Sequence, residues 1–174
     1  MVTNSADIPE SLDLASPLWT FAVNCWQIPG VESLCLTLQD NGWSVTRLLS
    51  ACWLASRGRE FTGEPATVRQ WREQMTTPLR TRKKALPKQH PALAALRAQL
   101  AGTELEAERV ELALAWQALR ALPPAASPTD STLALARHNL HAAGPDTHMN
   151  QEVSERIDQL VTLLFSDALL HTDW

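Results

Sequence analysis

One stretch, residues 17–58, holds the densest concentration of apolar side chains and constrains the fold most. It reads PLWTFAVNCWQIPGVESLCLTLQDNGWSVTRLLSACWLASRG and contains four of the seven tryptophans and all three cysteines. Turn signals at Pro29-Gly30, Gly42 and Gly58 divide it into segments whose apolar residues recur every three or four positions. The pattern predicts three short helices, which are marginal alone and must therefore pack on one another as the core.

The ends of these helices are marked in the sequence. Ser16 followed by Pro17 is an N-cap with proline in the first turn, where a missing N–H costs nothing. Gly42 suits a left-handed cap after the second helix, and Ser44 can cap the third. We therefore expect the three helices to begin near residues 17, 31 and 45.

The middle of the chain predicts a helical hairpin over residues 66–122. Its first arm is interrupted at Thr77-Pro78, where the helix either kinks or restarts with Thr77 as its cap. Its second arm, about residues 91–122, carries two apolar stripes. These indicate either packing on two sides or a bend near Gly102, where Thr103 and Glu106 could form a capping box. The two arms are expected to run antiparallel.

The remainder of the chain looks like an appendage. Residues 123–132, PPAASPTDST, have the composition of a linker, and a short helix is predicted over 133–142. The segment 151–170 is an amphipathic helix that either docks on the main body, as we expect, or binds a partner. We predict one domain over residues 1–122, with 123–174 as linker and helical appendage.

Overall composition agrees with a helical protein. Of 174 residues, 45% are hydrophobic and 20% are charged, leucine and alanine dominate, and tyrosine is absent. The fold class is therefore predicted as all-α: a compact multi-helix domain with a long helical hairpin and a C-terminal amphipathic helix. No apolar run approaches the ~20 residues of a transmembrane helix, and the N-terminus lacks a signal-peptide pattern. We expect no membrane insertion and a cytoplasmic location.

The same segments resemble a known family. The resemblance lies in Leu18-Trp19, Pro29-Gly30-Val31, residues 36–40 and 48–53, Trp71 and Pro78-Leu79-Arg80. It is to an uncharacterised bacterial family of small proteins of unknown function, over residues 15–88 and extending toward 122. The resemblance implies a bacterial source and brings no activity, cofactor or site residue with it.

Several chemistries find no support in the sequence. The three cysteines are an odd number and fall on apolar helix faces, which favours buried thiols in a reducing compartment over disulfides. His138 and His141, at i and i+3, could bind a metal together with His148, but the sequence around them is typical of a mobile segment and does not favour a site. No catalytic triad, phosphate loop or HExxH motif is present. We predict no catalytic residue, metal or cofactor, and favour a non-enzymatic protein.

A basic run is the leading functional feature. Residues 69–88 carry seven cations and one acid, a net charge of +6 that leaves −10 for the rest of the chain. Around Pro78 it could dock an acidic protein or a phosphate-bearing partner. The alternative is a solvated helix face partly paired with Glu104, Glu106, Glu108 and Glu111. The candidate binding residues are Arg72, Arg80, Lys83 and Lys84.

A second hypothesis concerns the end of the second predicted helix. Polar residues there adjoin a tryptophan and could line a Trp-rich pocket for a small apolar or acidic ligand near Asp40. The alternative is that they end the helix and that the tryptophans pack in the core. The candidate pocket residues are Gln39, Asp40, Asn41, Trp43 and Arg47. The leading function is thus a helical interaction or adaptor protein, followed by a small-ligand binder, and thirdly a nucleic-acid-associated protein or an enzyme of unknown reaction.

Overall fold

The computed structural model describes residues 8–123, 132–146 and 150–165. Within these ranges every regular element is helical, which confirms the all-α prediction, and none of the helices is both long and apolar enough to cross a bilayer. A π-helical turn, Arg72–Thr76, joins α4 to α5, and a 3-10 turn, Pro91–Leu93, precedes α6. The helices are α1 (Pro17–Trp26), α2 (Val31–Asp40), α3 (Val45–Ser56), α4 (Ala66–Trp71), α5 (Thr77–Ala85), α6 (Ala94–Arg120), α7 (Thr132–Ala142) and α8 (Gln151–Leu164).

The contacts divide the chain into two compact units. The first, here the hairpin unit, comprises the described residues of Met1–Ser16 and Glu64–Ala121. The second, here the cysteine unit, comprises the described residues of Pro17–Gly63 and Leu122–Trp174. Whether residues 1–122 form a domain without 123–174 stays a prediction.

Helix ends in the cysteine unit follow the turn signals of the sequence. The helix α1 begins at Pro17, and Gly42 adopts the left-handed conformation after α2, with φ of 89°. The Ser44 hydroxyl accepts a hydrogen bond from the Arg47 N–H at 3.3 Å, so the predicted cap of α3 is confirmed. These local signals place α1, α2 and α3 within a residue of their predicted starts.

The helices after residue 131 pack on α2 and α3. The helix α7 lies against α3, and α8 lies against α2 and α7. Buried Asn139 joins α7 to α3 and to the loop that follows α3. Its Oδ1 accepts from the Phe61 N–H at 2.9 Å, and its Nδ2 donates to the carbonyls of Ala51 and Arg59 at 3.1 and 2.8 Å. The C-terminal helix is thus docked within this unit, as expected. Residues 166–170 of that predicted helix, and most of the predicted linker 123–132, lie outside the described residues.

The hairpin unit contains the predicted antiparallel pair. The segment from α4 through α5 runs alongside α6, and its residues pair in descending order, from Trp71 with Ala107 to Leu86 with Arg97. The helix α6 is continuous through Gly102, so the predicted bend and the capping box at Thr103 are wrong. The Thr103 hydroxyl instead donates back to the Gln99 carbonyl at 2.9 Å, a bond that a helix interior tolerates.

The interruption at Pro78 takes the form of a wider helical turn. The α5 helix restarts at Thr77 with Pro78 in its first turn, but the N-cap is Thr76 rather than the predicted Thr77, and no side-chain cap bond forms. The Thr77 N–H donates to the Arg72 carbonyl five residues back, and the backbone of Thr76 and Thr77 stays helical. A π turn accommodates the proline, whose ring and missing N–H disturb a regular α-helix.

Candidate interaction surface

A buried carboxylate, Glu111, organises the inner end of the hairpin. Its side chain is 0% exposed. Its Oε1 accepts from Nε of Arg72 at 2.7 Å, and its Oε2 accepts from the Thr76 hydroxyl at 2.9 Å. The same guanidinium donates to both oxygens of Glu64, at 2.6 and 2.7 Å. Burial lowers the pKa of Arg72, but the bonds and charges of Glu64 and Glu111 outweigh this and raise it, so Arg72 stays charged.

A second group of charges lies one to two turns farther out. Arg80 donates from Nε to Glu104 Oε1 at 2.8 Å and from Nη2 to Glu108 Oε1 at 2.6 Å. The ammonium of Lys83 pairs with the other oxygen of buried Glu104. Burial raises the pKa of Glu108, the charges of the neighbouring glutamates add to this, and Arg80 opposes it. These pairs join α5 to α6 along one shared face.

Three of the four cations predicted to bind a partner are therefore engaged inside the hairpin. Arg72, Arg80 and Lys83 contact glutamates of α6, as the alternative explanation of the basic run expects. The fourth, Lys84, is exposed. That these four residues bind a partner stays a prediction, although three of them already contribute to the hairpin itself.

The outer end of the hairpin lacks a buried layer. No side chain from Thr77 to Thr103 is buried, and we call this segment, residues 77–103, the arm. The stripe of α6 that is covered at Ala107 and Leu114 continues outward to Leu100 and Leu96, where Leu96 is 47% exposed. An apolar stripe that loses its cover midway along a helix is typical of a surface that meets another molecule.

The arm is nevertheless held in a defined shape. The Arg97 guanidinium donates through Nη1 to the carbonyls of Lys83 and Leu86, at 2.5 and 2.8 Å. Lys83 lies in the last turn of α5 and Leu86 directly follows the helix, where carbonyls are no longer all bonded within the helix. Arg97 thus ties the end of α5 to the start of α6 and fixes the spacing of the leucines around the turn.

The exposed leucines are the feature that sequence reasoning missed. The stripe containing Leu93, Leu96 and Leu100 is one of the two stripes from which the sequence predicts packing on two sides or a bend near Gly102. The signal against packing on two sides is the opposing segment 77–88, TPLRTRKKALPK, in which only two leucines stand among five cations. So polar a segment cannot cover a leucine stripe of that length.

The residues of the predicted pocket differ in their exposure to solvent. Asp40 and Asn41 are exposed, and Asn41 Nδ2 donates to the Thr37 carbonyl at 2.9 Å, ending α2. Trp43 is buried, and a Cβ built on Gly144 would lie 2.6 Å from its Cη2, so the ring packs on that backbone. The Arg47 guanidinium lies 5.5 Å from the centre of the Phe61 ring. A ligand near Asp40 stays a prediction.

A groove of about 670 Å³ lies elsewhere in the cysteine unit. It runs between the start of α2 and the last two turns of α8, and its walls include Gly30, Leu34, Asp158 and Leu163. Gly30 has φ of 93°, and a Cβ there would approach Leu163 Cδ1 at 3.2 Å. Asp158 is paired with Arg137. The groove contains none of the predicted pocket residues.

The three cysteines come together in the interior of the cysteine unit. Cys25, Cys35 and Cys52 are contributed by α1, α2 and α3, and all are free and buried. Burial raises the pKa of Cys25 and Cys35 to about 12 and that of Cys52 well above its usual value. Cys35 further raises the pKa of Cys25, and both raise that of Cys52, so the three thiols are neighbours. The prediction of buried thiols is confirmed.

We predict that these thiols react slowly in the native protein. The reacting species is the thiolate. With a pKa near 12 instead of 9.0, its fraction at pH 8 falls about a thousandfold, and burial also excludes the reagent. Labelling with a thiol reagent should therefore require denaturant, in which all three cysteines react. Rapid labelling of any one of them in native buffer would identify that residue as accessible and available for chemistry.

Among the described residues, no group of three His, Cys, Asp or Glu side chains has the arrangement needed to hold a metal ion. His138 is exposed, and its Nε2 lies 2.9 Å from Glu60 Oε1. His148, the third candidate ligand considered in the sequence, lies outside the described residues.

A known protein family matches the chain. The family described as "Protein of unknown function (DUF2390)" matches residues 17–115, more than half of the chain. The chain belongs to this family. No curated protein and no solved structure matches the chain.

The DUF2390 match covers the candidate surface and the three cysteines. It begins at the first residue of α1 and ends in the last turns of α6, so it contains the three cysteines, the buried ion pairs and the whole arm. The helices α7 and α8 lie outside it. The resemblance seen over residues 15–88 and toward 122 is thereby confirmed, and the function of the DUF2390 family is unknown.

Proposed function

We propose that this DUF2390 protein is a non-enzymatic interaction module that docks an acidic protein on its arm. The observation that carries the proposal is the uncovered stripe of α6: Ala107 and Leu114 are buried, whereas Leu96, in the same stripe, is about half exposed. A stripe at helical spacing that leaves the core and continues into solvent suits a helix face that a partner covers.

The charge of the arm supports an acidic partner. Residues 77–103 contain six cations and no acidic residue. Glu104 and Glu108 pair with Arg80 and Lys83, while Arg82, Lys84 and Lys88 are exposed. Basic side chains around a leucine stripe favour a partner with acidic residues around its own apolar face.

A nucleic acid is a weaker candidate for the same surface. Phosphate backbones are bound by cations without need for exposed leucines, and single strands are held by stacking on aromatic rings. The arm has no Phe, Tyr or Trp, and its only aromatic ring is the imidazole of His90. The leucines therefore favour a protein partner over a phosphate-bearing one.

The setting of this function is also proposed. Three buried, free thiols suit a reducing compartment, which supports the cytoplasm. A bacterial source is likewise proposed, on the family resemblance alone.

The docking proposal is tested by a matched pair of surface variants. Leu96→Asp places a charge in the proposed interface. Leu133→Asp makes the same change on α7, at a leucine that is 44% exposed, compared with 47% for Leu96. In affinity capture from the native cell, the parent and Leu133→Asp should capture the same protein. Leu96→Asp should capture at least about tenfold less of it, since central interface residues contribute most of the affinity. Undiminished capture by Leu96→Asp would place the working surface elsewhere.

A further inference from the structure

The arm consists of two antiparallel helices with no third helix over them. Leu79, Leu86, Leu93 and Leu100 along their junction are partly exposed, and Leu96 is more so. Two helices in contact leave a groove between them, and a third helix can pack into it by fitting its side-chain ridges to that surface. Resting on the proposed docking function, we infer that the partner supplies an acidic amphipathic helix that lies in this groove as the third helix.

The spacing of the leucines matches a helical ligand. Leu93, at the end of the 3-10 turn, and Leu96 and Leu100 of α6 follow an i, i+3, i+7 pattern. Leu79 and Arg82 of α5 and Leu86, directly after it, have the same spacing in the sequence. Two parallel rows of that period receive the anchors of one amphipathic helix. A helix that covers Leu93 through Thr103 needs about three turns, or roughly 16 Å.

Other modes of peptide recognition fit this surface less well. Strand addition requires an exposed sheet edge, and the described part of the chain has no strand. Proline-rich peptides dock in grooves lined by several aromatic rings, and residues 77–103 contain no Phe, Tyr or Trp. Helix-in-groove binding is the remaining common mode for an apolar surface of leucines.

Charge decides between a foreign helix and a second copy of this chain. In such a dimer, the arm of the second copy would place six more cations and no acid against the arm of the first. Like charges across an interface oppose association. Arg82 lies in the α5 row between Leu79 and Leu86, and exposed Lys88 follows in the turn. An acidic helix would place its carboxylates against these two cations.

Two synthetic peptides test the inference against the full-length protein. Both carry the same leucines at i, i+3 and i+7, and they differ only in having glutamates or lysines on either side of that stripe. Fluorescence anisotropy should show that the glutamate peptide binds at least about tenfold more tightly than the lysine peptide, with an affinity that falls as salt rises. Leu96→Asp should weaken it about tenfold or more, and Leu133→Asp should not. Circular dichroism should show that the bound peptide gains helix.

A charge-reversed variant keeps the test decisive if Leu96→Asp fails to fold. Arg82→Glu combined with Lys88→Glu should reverse the preference toward the lysine peptide, since both cations are exposed. Equal binding of the two peptides, or preferential binding of duplex DNA, would overturn the inference that the ligand is an acidic helix. The proposal that the arm docks a protein would still be decided by the capture experiment. Concentration-dependent dimerisation that Leu96→Asp abolishes would assign the groove to a second copy and also overturn it.

Discussion

Replacing Arg72 by methionine is expected to lower the free energy of unfolding of the hairpin unit by about 3–5 kcal/mol, as removal of one partner from a buried ion pair does. The guanidinium of Arg72 bonds Glu111, which is 0% exposed, and both oxygens of Glu64. Methionine fills much of the same space but leaves the two carboxylates facing each other without a cation. The variant is measured by urea unfolding followed by circular dichroism.

The matched control is Arg82→Met. It makes the same change on the same hairpin at an exposed position, so its effect should remain within about 0.5 kcal/mol. Because the two units can unfold in separate transitions, the comparison uses the transition that the Arg72 variant shifts. Equal effects of the two substitutions would show that Arg72 acts as a surface cation and that the pairing with Glu111 does not support the hairpin.

This result bears directly on the functional tests. Arg80 and Lys83 contact buried Glu104 as Arg72 contacts Glu111. Reversing their charge would place acid against acid inside the hairpin, so a lost partner could reflect lost folding. Exposed Arg82, Lys88 and Leu96 change the docking surface without opening these pairs. They are therefore the residues through which binding is separated from stability.

The helices were predictable because capping and turn residues next to their ends mark where they begin and stop. Ser44 caps α3 and Gly42 takes a left-handed turn, and the capping bond of Ser44 and the N–H bond of Gly42 each join residues three positions apart. The continuity of α6 was not predictable in this way, since Gly102 is tolerated within a helix at a cost of about 1 kcal/mol relative to alanine. Burial of the neighbouring Glu104 and Ala107 against the rest of the unit outweighs this cost of glycine.

The candidate surface was only partly predictable for a different reason. The π turn at Arg72–Thr76 inserts an extra residue into the helical turn and so rotates α5 relative to α4. This rotation decides which cations of the basic run face inward. A pattern of 3.6 residues per turn cannot show such a change of register. The pocket predicted near Asp40 depended likewise on the direction of Trp43, whose ring packs on Gly144 in the interior.

The convergence of the cysteines shows the same limit. Each thiol could be assigned to the interior from the apolar face it occupies on its own helix. That Cys25, Cys35 and Cys52 are neighbours depends on how α1, α2 and α3 pack, which helical periodicity does not specify. Sequence patterns thus predict which face is buried, whereas tertiary contacts decide which buried residues meet.

Replacing Trp53 by alanine is expected to destabilise the cysteine unit by about 3–5 kcal/mol, the usual cost of deleting a large buried aromatic side chain. Trp53 shares a face of α3 with buried Leu49 and Cys52, and it is 8% exposed. The Arg57 guanidinium lies 5.3 Å from the centre of its ring, and removing only that cation with Arg57→Ala should cost about 0.5–1 kcal/mol. The larger loss for Trp53→Ala would come from the cavity left behind. A thermal midpoint equal to that of the parent would show that the ring does not belong to the core.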